Sequence, residues 1–366
     1  MKKIIFSVLV FCLSTSVFAQ TNTDSEPEFV RTISFDGFIK TRFETTTNLE
    51  SNMMRFNVRH ARVGVRSEIN PYVSLRMMAE LLQNGTLAIH DMFATIRPTT
   101  NLSIHLGQHL IPFDNTYIIS PADQMFANVA FVGTYFSPGV RDIGVGAHYR
   151  FFGLGDLPME IQGGLFNGGV VNRPEWSREP SYAFRLITGS MSGVRSTAKV
   201  YRFAGNEREL LPGELLLPIA NQRMILWGAD FRYTNSRLTV ETEIMHRHSQ
   251  TYNSDLWGTY IQGLYTIPLS NGKIFHSFAP AFRWDAMGYN KTDGFDFDIN
   301  RVTAGLQFGL MQGLPFHSLI RIDYEHFFYR KGVTKYNFRD FTAASRRNEL
   351  NLFAESKFTV EWIVRF

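Results

Sequence analysis

From about residue 31 to the last residue the chain alternates apolar and polar side chains with a period of two, and it nowhere sustains a helical period. The end is clearest: Phe358, Val360, Trp362, Val364 and Phe366 share one face, and Thr359, Glu361 and Arg365 the other. Near the start Ile33, Phe35, Ile39 and Phe43 alternate with Ser34, Asp36, Lys40 and Arg42. The same rhythm runs through Val73 to Leu81, Ile143 to Phe151, Ile225 to Tyr233 and Val302 to Phe308. Such a chain has to pair strands along nearly its whole length. Sixteen segments can be marked, starting near residues 31, 54, 73, 87, 102, 142, 158, 182, 195, 223, 238, 256, 275, 300, 317 and 348.

The connections between these segments alternate in length. Short ones fall at about 68–72, 97–101, 152–157, 189–194, 234–237, 267–273 and 311–316, with turn pairs such as Asn70-Pro71 and Asn235-Ser236. The others are mostly longer, the largest being 109–141, 204–222, 285–299 and 328–347. Soluble sandwiches have no reason to sort connections this way, whereas outer-membrane barrels carry tight turns at one end and long loops at the other. An even count also returns the chain to the side where it began. Trp257 and Tyr265 share a face eight residues apart, as do Phe358 and Phe366. At ~3.4 Å per residue and ~40° of tilt that spacing rises roughly 21 Å, close to the ~25 Å between aromatic girdles. The predicted fold is all-β: a transmembrane antiparallel up-and-down barrel of about 16 strands, closed so that no sheet edge is unpaired in lipid.

Composition agrees with export. Lys2 and Lys3, the apolar run Ile4 to Leu13 and the small residues of Val17-Phe18-Ala19 read as a secretory signal over 1–19, cleaved before Gln20. Phe11 stands before Cys12 where a lipoprotein signal needs a small residue. Residues 20–30 are expected to be a short periplasmic segment and 31–366 the barrel. The mature chain keeps no cysteine, so disulfides are not its staples. With Lys2 and Lys3 removed, 35 basic residues face 33 acidic ones, too even a balance to suggest a nucleic-acid partner.

Four stretches resemble one known family. They are Arg59-His60-Ala61-Arg62-Val63-Gly64-Val65, Gly107-Gln108-His109-Leu110-Ile111-Pro112-Phe113, Arg141-Asp142-Ile143-Gly144-Val145 and Leu165-Phe166-Asn167-Gly168-Gly169. In this order they are similar to the phosphate-selective porin O and P family of Bacteroidetes-like bacteria. The resemblance implies a sixteen-stranded outer-membrane porin and a homotrimer; it does not set the permeant, for which a preference for anions such as phosphate is the expectation. The terminal Phe366 resembles the recognition signal of the outer-membrane assembly machinery.

If the apolar faces meet lipid, the polar faces line a lumen in which basic and acidic residues are mixed. Lys40, Arg42, Arg62, Arg66 and Arg76, on three adjacent strands, form a candidate anion-attracting ladder. Asp36, Glu44, Glu68 and Glu80 could equally neutralise it across the strands. The 33-residue connection 109–141 is the candidate constriction, because Phe113, Tyr117, Phe126, Phe131 and Tyr135 give it more apolar surface than a loop in water should show. Folding into the barrel would bury that surface and narrow the pore; packing on a neighbouring subunit is the alternative.

Catalytic and metal signals are poor. His246 and His248 share a face with no third ligand evident, and Asp296-Phe297-Asp298 starts a calcium-like loop but lacks its later glycine and glutamate. Gly189-Ser190-Met191-Ser192-Gly193 misplaces its serine for a nucleophile elbow, and Gly144-Val145-Gly146 lies inside a strand rather than before a helix. The expectation is a non-enzymatic channel without cofactor, bathed in outer-membrane lipid and passing small hydrophilic solutes. A barrel serving as adhesin or docking surface through its external loops is the alternative, and an outer-membrane lipase a distant third.

Overall fold

The computed structural model describes residues 30–48, 52–81, 85–115, 119–169, 171–172, 179–210, 216–250, 253–270, 274–289, 297–313, 316–330 and 354–366. Its first strands are β1 (Thr32–Asn48), β2 (Asn52–Asn70), β3 (Val73–Leu81), β4 (Leu87–Ile96), β5 (Leu102–Leu110) and β6 (Arg141–Phe152). There follow β7 (Pro158–Phe166), β8 (Ser181–Gly189), β9 (Val194–Leu210), β10 (Leu216–Thr234), β11 (Leu238–Ser249) and β12 (Ser254–Tyr265). The last are β13 (Ile267–Pro268), β14 (Ser277–Gly288), β15 (Ile299–Gly313), β16 (Phe316–Tyr329) and β17 (Ala354–Arg365). β12 and β13 lie end to end, and both pair with β14. The seventeen segments therefore make sixteen staves, each antiparallel to its neighbours in sequence, and β1 pairs with both β2 and β17 to close the barrel.

The alternation sorts residues as the sequence implies. On β17 Lys357, Thr359, Glu361 and Ile363 are buried inside, whereas Phe358 and Trp362 are exposed on the outer wall. On β1 Lys40, Arg42 and Glu44 are buried, and Ile33, Phe35 and Ile39 are exposed. On β2 the register slips at Arg59, an extra residue that restores inward aim to His60 and Arg62 after Asn57. No helix among the described residues is long and apolar enough to cross a membrane.

The sequence misjudged some lengths. The expected loop 204–222 is largely strand, because β9 runs on to Leu210 and β10 starts at Leu216, paired from Leu216↔Leu210 to Ile219↔Glu207. Gly205 and the prolines there read as loop signals, yet two chains extending together past the rim satisfy each other's backbone groups. The expected loop 285–299 likewise loses Asp285 to Gly288 to β14. Most of the connection 328–347 and the predicted strand start at 348 lie outside the described residues.

The seam is set by two small facts. Phe366 and Gly37 exchange both backbone hydrogen bonds at 3.0 Å. A side-chain carbon on Gly37 would lie 2.6 Å from Cζ of Phe366, so the terminal ring lies over a position kept bare for it.

Candidate functional site

The connection between β5 and β6 turns into the barrel. Its neck is tied by the Ile111 amide donating to the Val140 carbonyl at 3.0 Å. Beyond it Phe113, Phe126, Phe131, Val132, Tyr135 and Phe136 are almost wholly buried, Phe131–Tyr135 forming the short helix α1. All but Phe126, over whose ring the Arg283 guanidinium lies at 4.7 Å, pack on inward-facing apolar residues of the wall: Tyr201 and Phe203 on β9, Met224 and Leu226 on β10, Met245, Leu256, Met287 and Phe327 beyond. Burial of each large apolar side chain contributes about 1.5–3 kcal/mol, so this cluster is reason enough for the loop to leave water. The signal was present in the sequence: Tyr201, Phe203, Met224, Leu226, Met245 and Leu256 put apolar side chains at inward parity near the long-loop ends of β9–β12, which an open lumen would leave wet.

An irregular backbone inside a barrel needs donors and acceptors, and the wall supplies them. Arg283 donates to the Asn128 carbonyl, Arg301 to that of Val129, Arg247 to that of Tyr135 and Arg321 to that of Ala122, each at 2.8 Å. Lys40 reaches the Pro121 carbonyl at 3.0 Å, and Arg42 the Ala127 carbonyl. In return the amides of Ala127 and Phe131 donate to Asp323 (2.6 Å) and Asp285 (2.8 Å). Arg301 is the centre of this clamp. It holds Asp285 at 2.6 Å and Glu325 at 2.8 Å, and its guanidinium lies 4.4 Å from the Phe131 ring centre. Replacing Arg301 by Met leaves Asp285 and Glu325 to Arg283, at 3.5 and 3.3 Å, and releases the Val129 carbonyl, a loss below the roughly 3–5 kcal/mol of a fully broken buried pair. The Arg301→Met barrel should unfold at a lower temperature in a heat-modification assay and give a noisier open current; unchanged values of both would show the clamp to be dispensable.

The predicted ladder is thereby divided. Lys40 and Arg42 are buried under the loop and share Glu361, at 3.1 and 2.6 Å. Arg62, Arg66 and Arg76 instead face the space the loop leaves open. Arg62 pairs with Glu80 at 3.1 Å and Arg76 with Asp36 through a second contact of 2.9 Å. Arg66 has no carboxylate within ion-pair distance among the described residues. Of the expected neutralising acids, Asp36, Glu44 and Glu80 pair within the ladder, whereas Glu68 turns to Arg97 at 3.2 Å. Glu361, 319 residues from Arg42 in sequence but adjacent through closure, was the partner the linear reading could not place.

The open space is a cavity of ≈ 420 Å³ between the loop at Ser120 and Pro121 and the inner wall of β1–β6. Arg62, Arg66, Arg76, Arg141 and Arg365 line it against Asp36 and Asp91. Toward the long-loop end a second cavity of ≈ 110 Å³ shares Arg62 and Pro121 with the first and is bordered by Lys40, Arg42, Arg59 and Lys357. Of the constriction candidates, Phe126 and Phe131 and the helix residue Tyr135 lie in the loop's interior packing, and Phe113 stands over Lys199 at 5.6 Å from the ring centre. Tyr117 lies outside the described residues. Arg141, Arg195, Lys199, Arg247, Arg301 and Lys357 are inward cations that the strand reading had not singled out.

The remaining candidates fall elsewhere. His246 and His248 sit on the outer wall beside Asp255, at 3.3 and 2.7 Å, with the His246 ring 4.4 Å from Trp257 and 5.2 Å from Trp227. No metal-binding group of three or more side chains is assembled among the described residues. Gly144 and Gly146 belong to a strand wall, not to a phosphate-binding turn.

No protein-family model and no curated protein matches the chain. The similarity lies with solved barrels. OmpT, an outer membrane protein of Vibrio cholerae in its trimer form, superposes with a TM-score of 0.59 at 11% identity, covering 92% of this chain and 100% of that one. An anion-selective porin from Comamonas acidovorans gives 0.59 at 8% identity over 92% and 99% of the two chains. Salmonella typhi OmpF gives 0.59 at 13% identity over 91% and 97%. Identities this low establish the fold: a closed sixteen-stranded antiparallel barrel of the outer-membrane porin kind.

Proposed function

We propose that the chain is an outer-membrane porin through which small hydrophilic solutes diffuse passively, anions such as phosphate preferentially. The observation carrying this reading is the cavity left between the inserted loop and β1–β6, where five arginines meet two aspartates. Hydrated ions in a narrow, low-dielectric passage respond to such an excess far more than in bulk water. The loop is the constriction, with Pro121 and Arg62 bordering both cavities. The porin likeness of the fold supports the location, the first nineteen residues serve as the export signal, and assembly as a homotrimer is the corresponding proposal, tested by crosslinking in native membranes.

Single-channel recording of refolded protein in a planar bilayer, with a salt gradient, tests the reading. Stable steps with a reversal potential on the anion side are expected. Arg66→Glu, which reverses the one lining arginine without a carboxylate partner, should move that potential toward cations with little change in step size. Open steps without selectivity would keep the channel and remove the arginines' role. A folded but silent barrel would favour the other reading, a docking surface made by the external loops.

A further inference from the structure

The ≈ 420 Å³ cavity is not lined by charge alone. Beside Arg62, Arg66 and Arg76, along the same wall, stands a shelf of rings from β4, β5 and β6, Phe93 being the cross-strand neighbour of Arg76. Phe93 meets the His105 ring edge-on at 5.4 Å between centres and the His109 ring at 5.9 Å. His105 in turn meets His148 at 4.6 Å. The strands make room for this shelf: a side-chain carbon on Gly146 would lie 2.7 Å from the His109 ring, so the glycine of Gly144-Val145-Gly146 is the floor under an imidazole. Among the described residues Nε2 of His105 and Nε2 of His109 are buried and have no hydrogen-bond partner, although Thr95 holds the other nitrogen of His105 at 3.0 Å. A wall meant only to pass hydrated inorganic ions has no use for four rings in mutual edge contact with unspent polar atoms.

We infer that this cavity is a saturable binding site for small organic anions with a flat, unsaturated body, the carboxylate held by Arg66 and its neighbouring arginines and the plane laid against Phe93, His105 and His148. The volume is within the roughly 300–1,000 Å³ of small-molecule sites, and the lining has their usual make-up of aromatic surface with a few convergent polar groups. A guanidinium holds a carboxylate through two parallel hydrogen bonds, and a ring on the shelf gains edge and face contacts that a spherical or saturated anion does not. Phosphate and acetate would use the arginines alone. The inference rests on the channel reading only for its physiological sense; binding can be measured whether or not the barrel conducts.

Benzoate is the probe. Equilibrium dialysis of the folded protein in detergent should show saturable benzoate binding, with cyclohexanecarboxylate and acetate weaker by roughly five-fold, the discrimination expected of one aromatic contact. In the bilayer, benzoate added to a potassium chloride background should lower the open conductance along the same saturation curve. Phe93→Leu should erase the preference for benzoate over cyclohexanecarboxylate and leave acetate unchanged, whereas Arg66→Gln should weaken all three. Equal binding of the three anions to the unaltered protein would overturn the site while leaving the channel intact. Benzoate bound by a barrel that never opens would do the reverse, keeping the site and removing the channel.

Discussion

Deletion of residues 112–138 should raise the single-channel conductance several-fold. The segment removed carries the whole inserted chain between the neck contacts, from Phe113 to Phe136. What it leaves behind is a wall of arginines and carboxylates that are already paired with one another, such as Arg301 with Asp285 and Glu325, and that hydrate readily once uncovered. The apolar residues of β9–β12 would then face water, so the shortened barrel should also unfold at a lower temperature. A conductance equal to that of the full chain would mean that the current never passed beside this loop.

Loss of the single residue Phe366 should cut the amount of assembled barrel more severely than any substitution in the lumen. The expectation has two roots. Phe366 ends a strand whose outward parity, with Phe358 and Trp362, is resolved and regular. Its backbone also closes the seam with Gly37, over which its ring lies. Phe366→Ala provides the complementary test, since it keeps the backbone pair with Gly37 and removes the ring. An equal defect in deletion and Phe366→Ala would assign the whole effect to the ring. A milder defect in Phe366→Ala would give the seam's backbone pair a structural share. Undiminished heat-modifiable barrel in the membrane after deletion would dispose of both ideas.

The strand pattern could be read from local rhythm because a barrel is built from it: period two fixes which face is inside, whatever the neighbours are. The lumen could not be read the same way. Inward parity sets Arg283 and Arg321 on the lumen face like the ladder residues, yet they, together with Arg247 and Arg301, donate to carbonyls of the inserted loop and present little charge to a passing ion. The ladder failed as a single strip for the same reason, with Lys40 and Arg42 drawn under the loop by Glu361 on β17. Which cations are spent on the loop depends on where its carbonyls land, and no spacing in β1 or β14 encodes that. The ring shelf was hidden differently. Phe93, His105 and His148 each follow the inward parity of their own strand, and only pairing of β4, β5 and β6 sets them side by side.

The addresses of the loop's anchors carry a consequence for biogenesis. Ala122, Ala127 and Phe131 are held by residues 199, 196 and 154 positions later in the chain. Those partners lie on the final staves, which emerge last when the polypeptide is delivered from its amino terminus. Long-range contacts of this kind form late, because the chain between them must be ordered first. A barrel still missing its last hairpins therefore cannot seat its own plug. Through that interval its interior would be wide and wet, and closure of the β1–β17 seam would be the moment at which the pore acquires its working width.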